Sequence, residues 1–122
     1  DPRWTFGTKY IQLRQDPKAK TPQTVGFKNV PGWGAYVLKG DVFVKRFTYT
    51  DGGEYVDYGC NTETFTNEDM LEIESVGPLT ALSASGGSVE HTEDWYLFKA
   101  AVGEKEDEID AQLLPLVEKT GK

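Results

Sequence analysis

Apolar and polar positions alternate through most of the chain. The pattern is sharpest at residues 70–76, where Leu71 and Ile73 point one way and Glu72 and Glu74 the other, as a half-buried strand requires. Residues 59–65 form a shorter, more polar run, with Asn61 and Glu63 on one face and Thr62 and Thr64 on the other. Thr66-Asn67-Glu68-Asp69 is turn chemistry between these two runs. Gly77-Pro78 ends the second, because proline donates nothing to a ladder.

The same period predicts strands at residues 3–6, 8–14, 24–29, 33–39, 41–49, 79–84 and 89–98. Gly40, between two of them, is a hairpin signal. In 41–49 the residues Phe43, Lys45, Phe47 and Tyr49 share one face, and Val42, Val44, Arg46 and Thr48 the other. In 89–98 the residues His91, Glu93, Trp95 and Leu97 share a face, and both faces turn apolar toward the C-terminal end. That end is therefore expected to be the more buried, with Trp95 and Leu97 joining Phe47, Leu71 and Ile73 in the core. From residue 104 the period lengthens: Ile109, Leu113, Leu116 and Val117 recur at helical spacing, and Pro115 should kink or split the helix. Eight or nine strands followed by one helix at 104–119 predict an all-β antiparallel β-sandwich with one C-terminal α-helix, a single domain over 1–122.

Charge and cysteine usage narrow the partners. A net charge of −7 argues against a nucleic-acid or anionic-membrane partner, whose phosphates would be repelled. The run Glu106, Asp107, Glu108 and Asp110 suits the start of a helix and is expected to be solvated there. The single cysteine, Cys60, excludes an internal disulfide framework and points to a cytoplasmic rather than a secreted setting. No phosphate loop, dinucleotide fingerprint, nucleophile elbow or cysteine-rich zinc pattern occurs, so no cofactor is expected.

The densest candidate chemistry is carboxylate. Glu63, Glu72 and Glu74 project from adjacent strands and have three readings: a solvated row, a general acid or base, or a hard-cation site. For Ca²⁺, Asn61 and Asp57 would add oxygen ligands; alternatively Lys45 and Arg46 are ion-pair partners for the acids. His91, the one histidine, shares its face with Glu93, which allows a hydrogen-bonded pair. Among the aromatics, Trp33, Tyr36, Tyr49, Tyr58 and Trp95 belong to the core by default. Any exposed subset beside polar groups would be a sugar-stacking platform, since sugars offer C–H faces to rings and hydroxyls to carboxylates.

The motifs FVKRF, LEIESVGPL and EHTEDWYLF, in that order, with LLPLV in the closing helix, carry a resemblance over most of the chain. They are similar to the C-terminal half of a domain family of unknown function in the galactose-mutarotase-like (aldose 1-epimerase-like) group, whose fold is an antiparallel supersandwich. The strand glutamate of CNTETFTN resembles the group's general base, which implies that role for Glu63. The group's acid histidine comes from the other half of the supersandwich, and His91 does not match its position. The resemblance implies first a carbohydrate-binding or sugar-sensing surface, and second an epimerase-like activity with Glu63 as base. An orphan domain binding protein or Ca²⁺ is the third reading. The group's two-sheet architecture also implies that something must cover the apolar sheet faces, and a twofold homodimer is one way to do so.

Overall fold

The computed structural model describes residues 1–121. The chain is all-β with a C-terminal helix, and every strand pair is antiparallel. The strands are β1 (Trp4–Phe6), β2 (Ile11–Leu13), β3 (Gln23–Phe27), β4 (Trp33–Leu38), β5 (Asp41–Arg46), β6 (Thr62–Thr66), β7 (Leu71–Ser75) and β8 (Asp94–Lys99). They form a β1-β2 ribbon and two three-stranded sheets, ordered β3-β6-β7 and β4-β5-β8. The helix comes in two pieces, α1 (Glu106–Gln112) and α2 (Leu114–Glu118), broken just before Pro115 as the missing amide hydrogen requires.

The β4–β5 hairpin sets the frame. Lys39 and Gly40 both have positive φ, 50° and 84°, so a two-residue turn carries the twist that closely paired strands need. Its register is closed by Leu38 opposite Asp41, and β8 extends the sheet with Phe43 opposite Leu97 and Lys45 opposite Trp95. One face of this sheet holds the core. Val42 and Val44 are fully buried beneath Ile109, Leu113 and Val117, with Trp33, Ala35, Val37, Tyr96 and Phe98 packed around them.

The helix is fixed at both ends. Glu106 accepts from Thr8 Oγ1 at 2.6 Å and from the Lys9 and Tyr10 amides at 2.7 and 3.0 Å, so it grips the β1–β2 turn. Asp110 accepts from Tyr10 Oη at 2.6 Å and pairs with Lys9. Burial, followed by the hydrogen bond to Asp110, pushes the Tyr10 phenol up to about 12. The acidic helix start is thus a clamp on the first ribbon and not a freely solvated run. At the other end Arg46 donates to Thr120 Oγ1 at 2.7 Å and to the Val117 carbonyl at 2.8 Å.

Three expectations are corrected. Residues 79–84 form no strand; the segment 79–92 is exposed throughout, with one isolated bridge between Ser83 and Gly86. Its apolar residues Leu79, Leu82 and Val89 meet no covering layer, and without burial the apolar pattern does not fix a strand. The last strand starts only at Asp94, where pairing with β5 begins. Trp95 and Leu97 are 68% and 80% exposed, while Tyr96 and Phe98 turn toward the helix. Phe47 is buried as expected, and Leu71 and Ile73 are half-buried.

Candidate functional site

The uncovered face of the β4-β5-β8 sheet carries three rungs: Gly34, Lys45 and Trp95; Tyr36, Phe43 and Leu97; and Leu38, Asp41 and Lys99. Strand β7 leans over the first two. Ile73 packs so close to Gly34 that a Cβ there would lie 3.2 Å from Ile73 Cγ2. Tyr36, Phe43, Leu71 and Ile73 line an open groove of about 200 Å³. Beyond the reach of β7 the face is bare: Trp95 stands edge-on to Phe43 with ring centroids 5.6 Å apart, and Tyr36 is 42% exposed.

A polar network closes the upper end of this face. Lys45 is buried, and its Nζ donates to the Ile73 carbonyl at 2.8 Å and pairs with Glu93 Oε1 at 2.9 Å. Glu93 also accepts from Ser75 Oγ at 2.5 Å and, through Oε2, from Trp95 Nε1 at 2.9 Å. Ser75 Oγ lies 2.7 Å from His91 Nε2. An ionised carboxylate only accepts, so the one Ser75 proton goes to Glu93 and the Ser75 oxygen must accept from His91. This fixes His91 with its hydrogen on Nε2. The order His91→Ser75→Glu93 is the reverse of a nucleophilic triad, in which the imidazole takes the hydroxyl proton. Ser75 is therefore held as a positioned hydroxyl and is not activated. Burial by itself would raise the Glu93 pKa, but hydrogen bonds from Ser75, Lys45 and Trp95, with the Lys45 charge, bring it down to about 2.

Glu63, Glu72 and Glu74 lie elsewhere, on the outer face of the β3-β6-β7 sheet. Glu63 sits directly across from Glu74, and Phe65 across from Glu72. On its other side Glu63 faces Gly26, over which Cys60 packs; a Cβ on Gly26 would stand 2.6 Å from Cys60 Sγ. The chain reaches this point through Asp57, Tyr58 and Gly59, all with positive φ (49°, 63° and 95°). Burial, then Asp57 and Glu74, raises the Glu63 pKa; burial, then Glu72, raises that of Glu74. Glu63 Oε1 is buried without a hydrogen-bond partner among the described residues. Among the described residues no three His, Cys, Asp or Glu side chains converge as a metal site would require.

The structure brings Tyr36, His91 and Trp95 to the open face, with Lys45 buried against Glu93 at its border. It separates the other sequence candidates from it. Asn61 is fully buried, with Oδ1 accepting from the Asn29 amide at 2.6 Å and Nδ2 donating to the Asn29 carbonyl at 2.9 Å. Arg46 holds the C-terminal helix, and Trp33 packs against Tyr10 beneath it. As ion-pair partners, Lys45 takes Glu93 in place of the row of glutamates, and Arg46 takes hydroxyl and carbonyl oxygens. Glu93 and Ser75 were not selected from sequence as ligand-binding groups. The shared face of His91 and Glu93 was the one available signal for the first, whereas Ser75 is an unremarkable strand end.

No family model matches the chain, and no curated protein or solved structure does so either. The likeness of its motifs to the mutarotase-like group gains no support from these comparisons.

Proposed function

We propose that the chain is a carbohydrate-binding module whose contact surface is the open face of the β4-β5-β8 sheet. The observation that carries this reading is Trp95: two-thirds exposed, anchored through Nε1 to Glu93, and braced by the edge of Phe43, so that a ring face remains for a ligand. An exposed indole held in place offers a stacking surface at little entropic cost. Tyr36 adds a second ring on the adjoining rung pair, and His91, Ser75 and Glu93 form a polar border for hydroxyls. Glu93 Oε2 uses one lone-pair site on Trp95 and keeps another for accepting.

The groove, about 200 Å³ and open, is smaller than the roughly 300–1,000 Å³ of an enclosed small-molecule site. The surface thus suits several sugar units laid along it better than one sugar engulfed. Binding needs no acid–base pair. Turnover of the epimerase kind would need an acid histidine beside Glu63, and the one histidine, His91, is held instead by Ser75 next to Glu93.

A glycan array followed by calorimetric titration tests the reading. Trp95→Ala should abolish binding of whatever glycan the wild type takes, while Glu63→Gln leaves it unchanged. Wild-type protein that retains no glycan, or Trp95→Ala protein that binds equally well, would overturn the assignment. Loss of binding in Glu63→Gln alone would return the site to the outer face.

A further inference from the structure

We infer that β8 is a self-association edge, pairing antiparallel with β8 of a second copy about a twofold axis. Among the described residues β8 has β5 as its only strand neighbour, so its outer row of backbone groups is unpaired. Edge strands are ordinarily blunted by charge, proline or a bulge. Here the four central residues, Trp95-Tyr96-Leu97-Phe98, carry none of these, and the charges Asp94 and Lys99 stand only at the ends. The opposite edge, β4, is also uncharged, but there Asn29 Nδ2 already donates to the Trp33 carbonyl at 2.8 Å.

The symmetry selects the register. A twofold axis that pairs an edge strand antiparallel with itself stands perpendicular to the sheet and keeps like faces on the same side. Residues that meet must therefore share a face. Centred on Leu97, the pairing sets Leu97 against Leu97 of the second copy, Trp95 against Lys99, and Tyr96 against Phe98. Lys99, whose ammonium pairs with Asp41 of its own sheet, then stands beside the indole of the second copy, and no two like charges face each other. Asp94 of each strand approaches the Lys99 end of the other, which offers local charge complementarity in a protein whose net charge of −7 otherwise opposes association. The product is a six-stranded sheet with one continuous open face, to which each copy contributes Trp95 and Leu97. This inference goes beyond the carbohydrate reading and does not depend on it.

Sedimentation equilibrium at micromolar concentration tests the pairing. Wild type should fit a species of twice the 13.6 kDa chain mass. Leu97 is 80% exposed, so Leu97→Lys and Leu97→Glu should each keep the fold by circular dichroism and yet sediment as monomers, because each sets like charges across the axis. An equimolar mixture of the two should recover the dimer. Leu38→Lys, at the β4 edge, should leave it intact. A wild type that is monomeric throughout the range, Leu97 variants that remain dimeric, a mixture that fails to associate, or a dimer broken by Leu38→Lys would each overturn the assignment.

Discussion

Strand β5 lies between two apolar surfaces that fare differently. On one side Val42 and Val44 are wholly buried beneath Ile109, Leu113 and Val117; on the other Phe43 is half-covered and its neighbours Leu38, Trp95 and Leu97 face solvent. Hydrophobicity does not separate them. What separates them is a covering layer held by specific bonds: Glu106 and Asp110 fasten the front of the helix to the β1–β2 turn, and Arg46 fastens its end. Among the described residues the open side receives only β7, which reaches as far as Lys45 and Gly34 and leaves the β8 column bare.

The largest expected effect contrasts the two faces directly. Leu113→Ala should cost about 2–5 kcal/mol in chemical denaturation, since the buried side chain leaves a cavity. Leu97→Ala should change stability by no more than about 0.5 kcal/mol under conditions where the protein is monomeric. Equal costs at the two positions would erase the distinction.

Next comes the polar border. The Glu93 pKa is held near 2, below its ordinary 4.5, so the stability it contributes is present above about pH 4.5 and is lost as pH falls toward 2. Its side chain is 20% exposed, and after allowance for screening the contribution is about 2 kcal/mol. Denaturation between pH 6 and pH 2.5 should therefore show a slope that Glu93→Gln reduces, the remainder coming from Glu106 and Asp110, whose pKa values are also lowered by their hydrogen bonds. An unchanged slope in that variant would mean that other acids carry the loss.

The smallest effect has the opposite sign and concerns the outer face of the other sheet. Glu63 and Glu74 confront one another, and their raised pKa values mean that ionisation above 4.5 weakens the native state. Glu63→Gln should accordingly stabilise the protein by roughly 0.5–1 kcal/mol at pH 7 and by nothing measurable at pH 4, where the carboxyl is protonated with or without folding. Destabilisation at pH 7 would show that the Glu63 carboxylate has a favourable partner.

Local pattern determined much of this protein. The alternation at 71–75 and the Gly40 turn are visible as strand and hairpin because backbone geometry enforces a period of two and a positive φ within a few residues. The helix and its break at Pro115 follow from equally local rules. Tertiary structure decided what local rules leave symmetric. In Trp95-Tyr96-Leu97-Phe98 every residue is apolar, so alternation cannot say which pair goes inward; the register with β5 and the side on which the helix docks settle it. Residues 79–84 have an adequate strand pattern but no neighbour to pair with, and strand stability comes from cross-strand contacts rather than from the strand itself. The polar border is the same case. Lys45, Ser75 and Glu93 lie far apart in the chain, and only the folding of β7 over β5 brings an ammonium and a hydroxyl within hydrogen-bonding distance of one carboxylate.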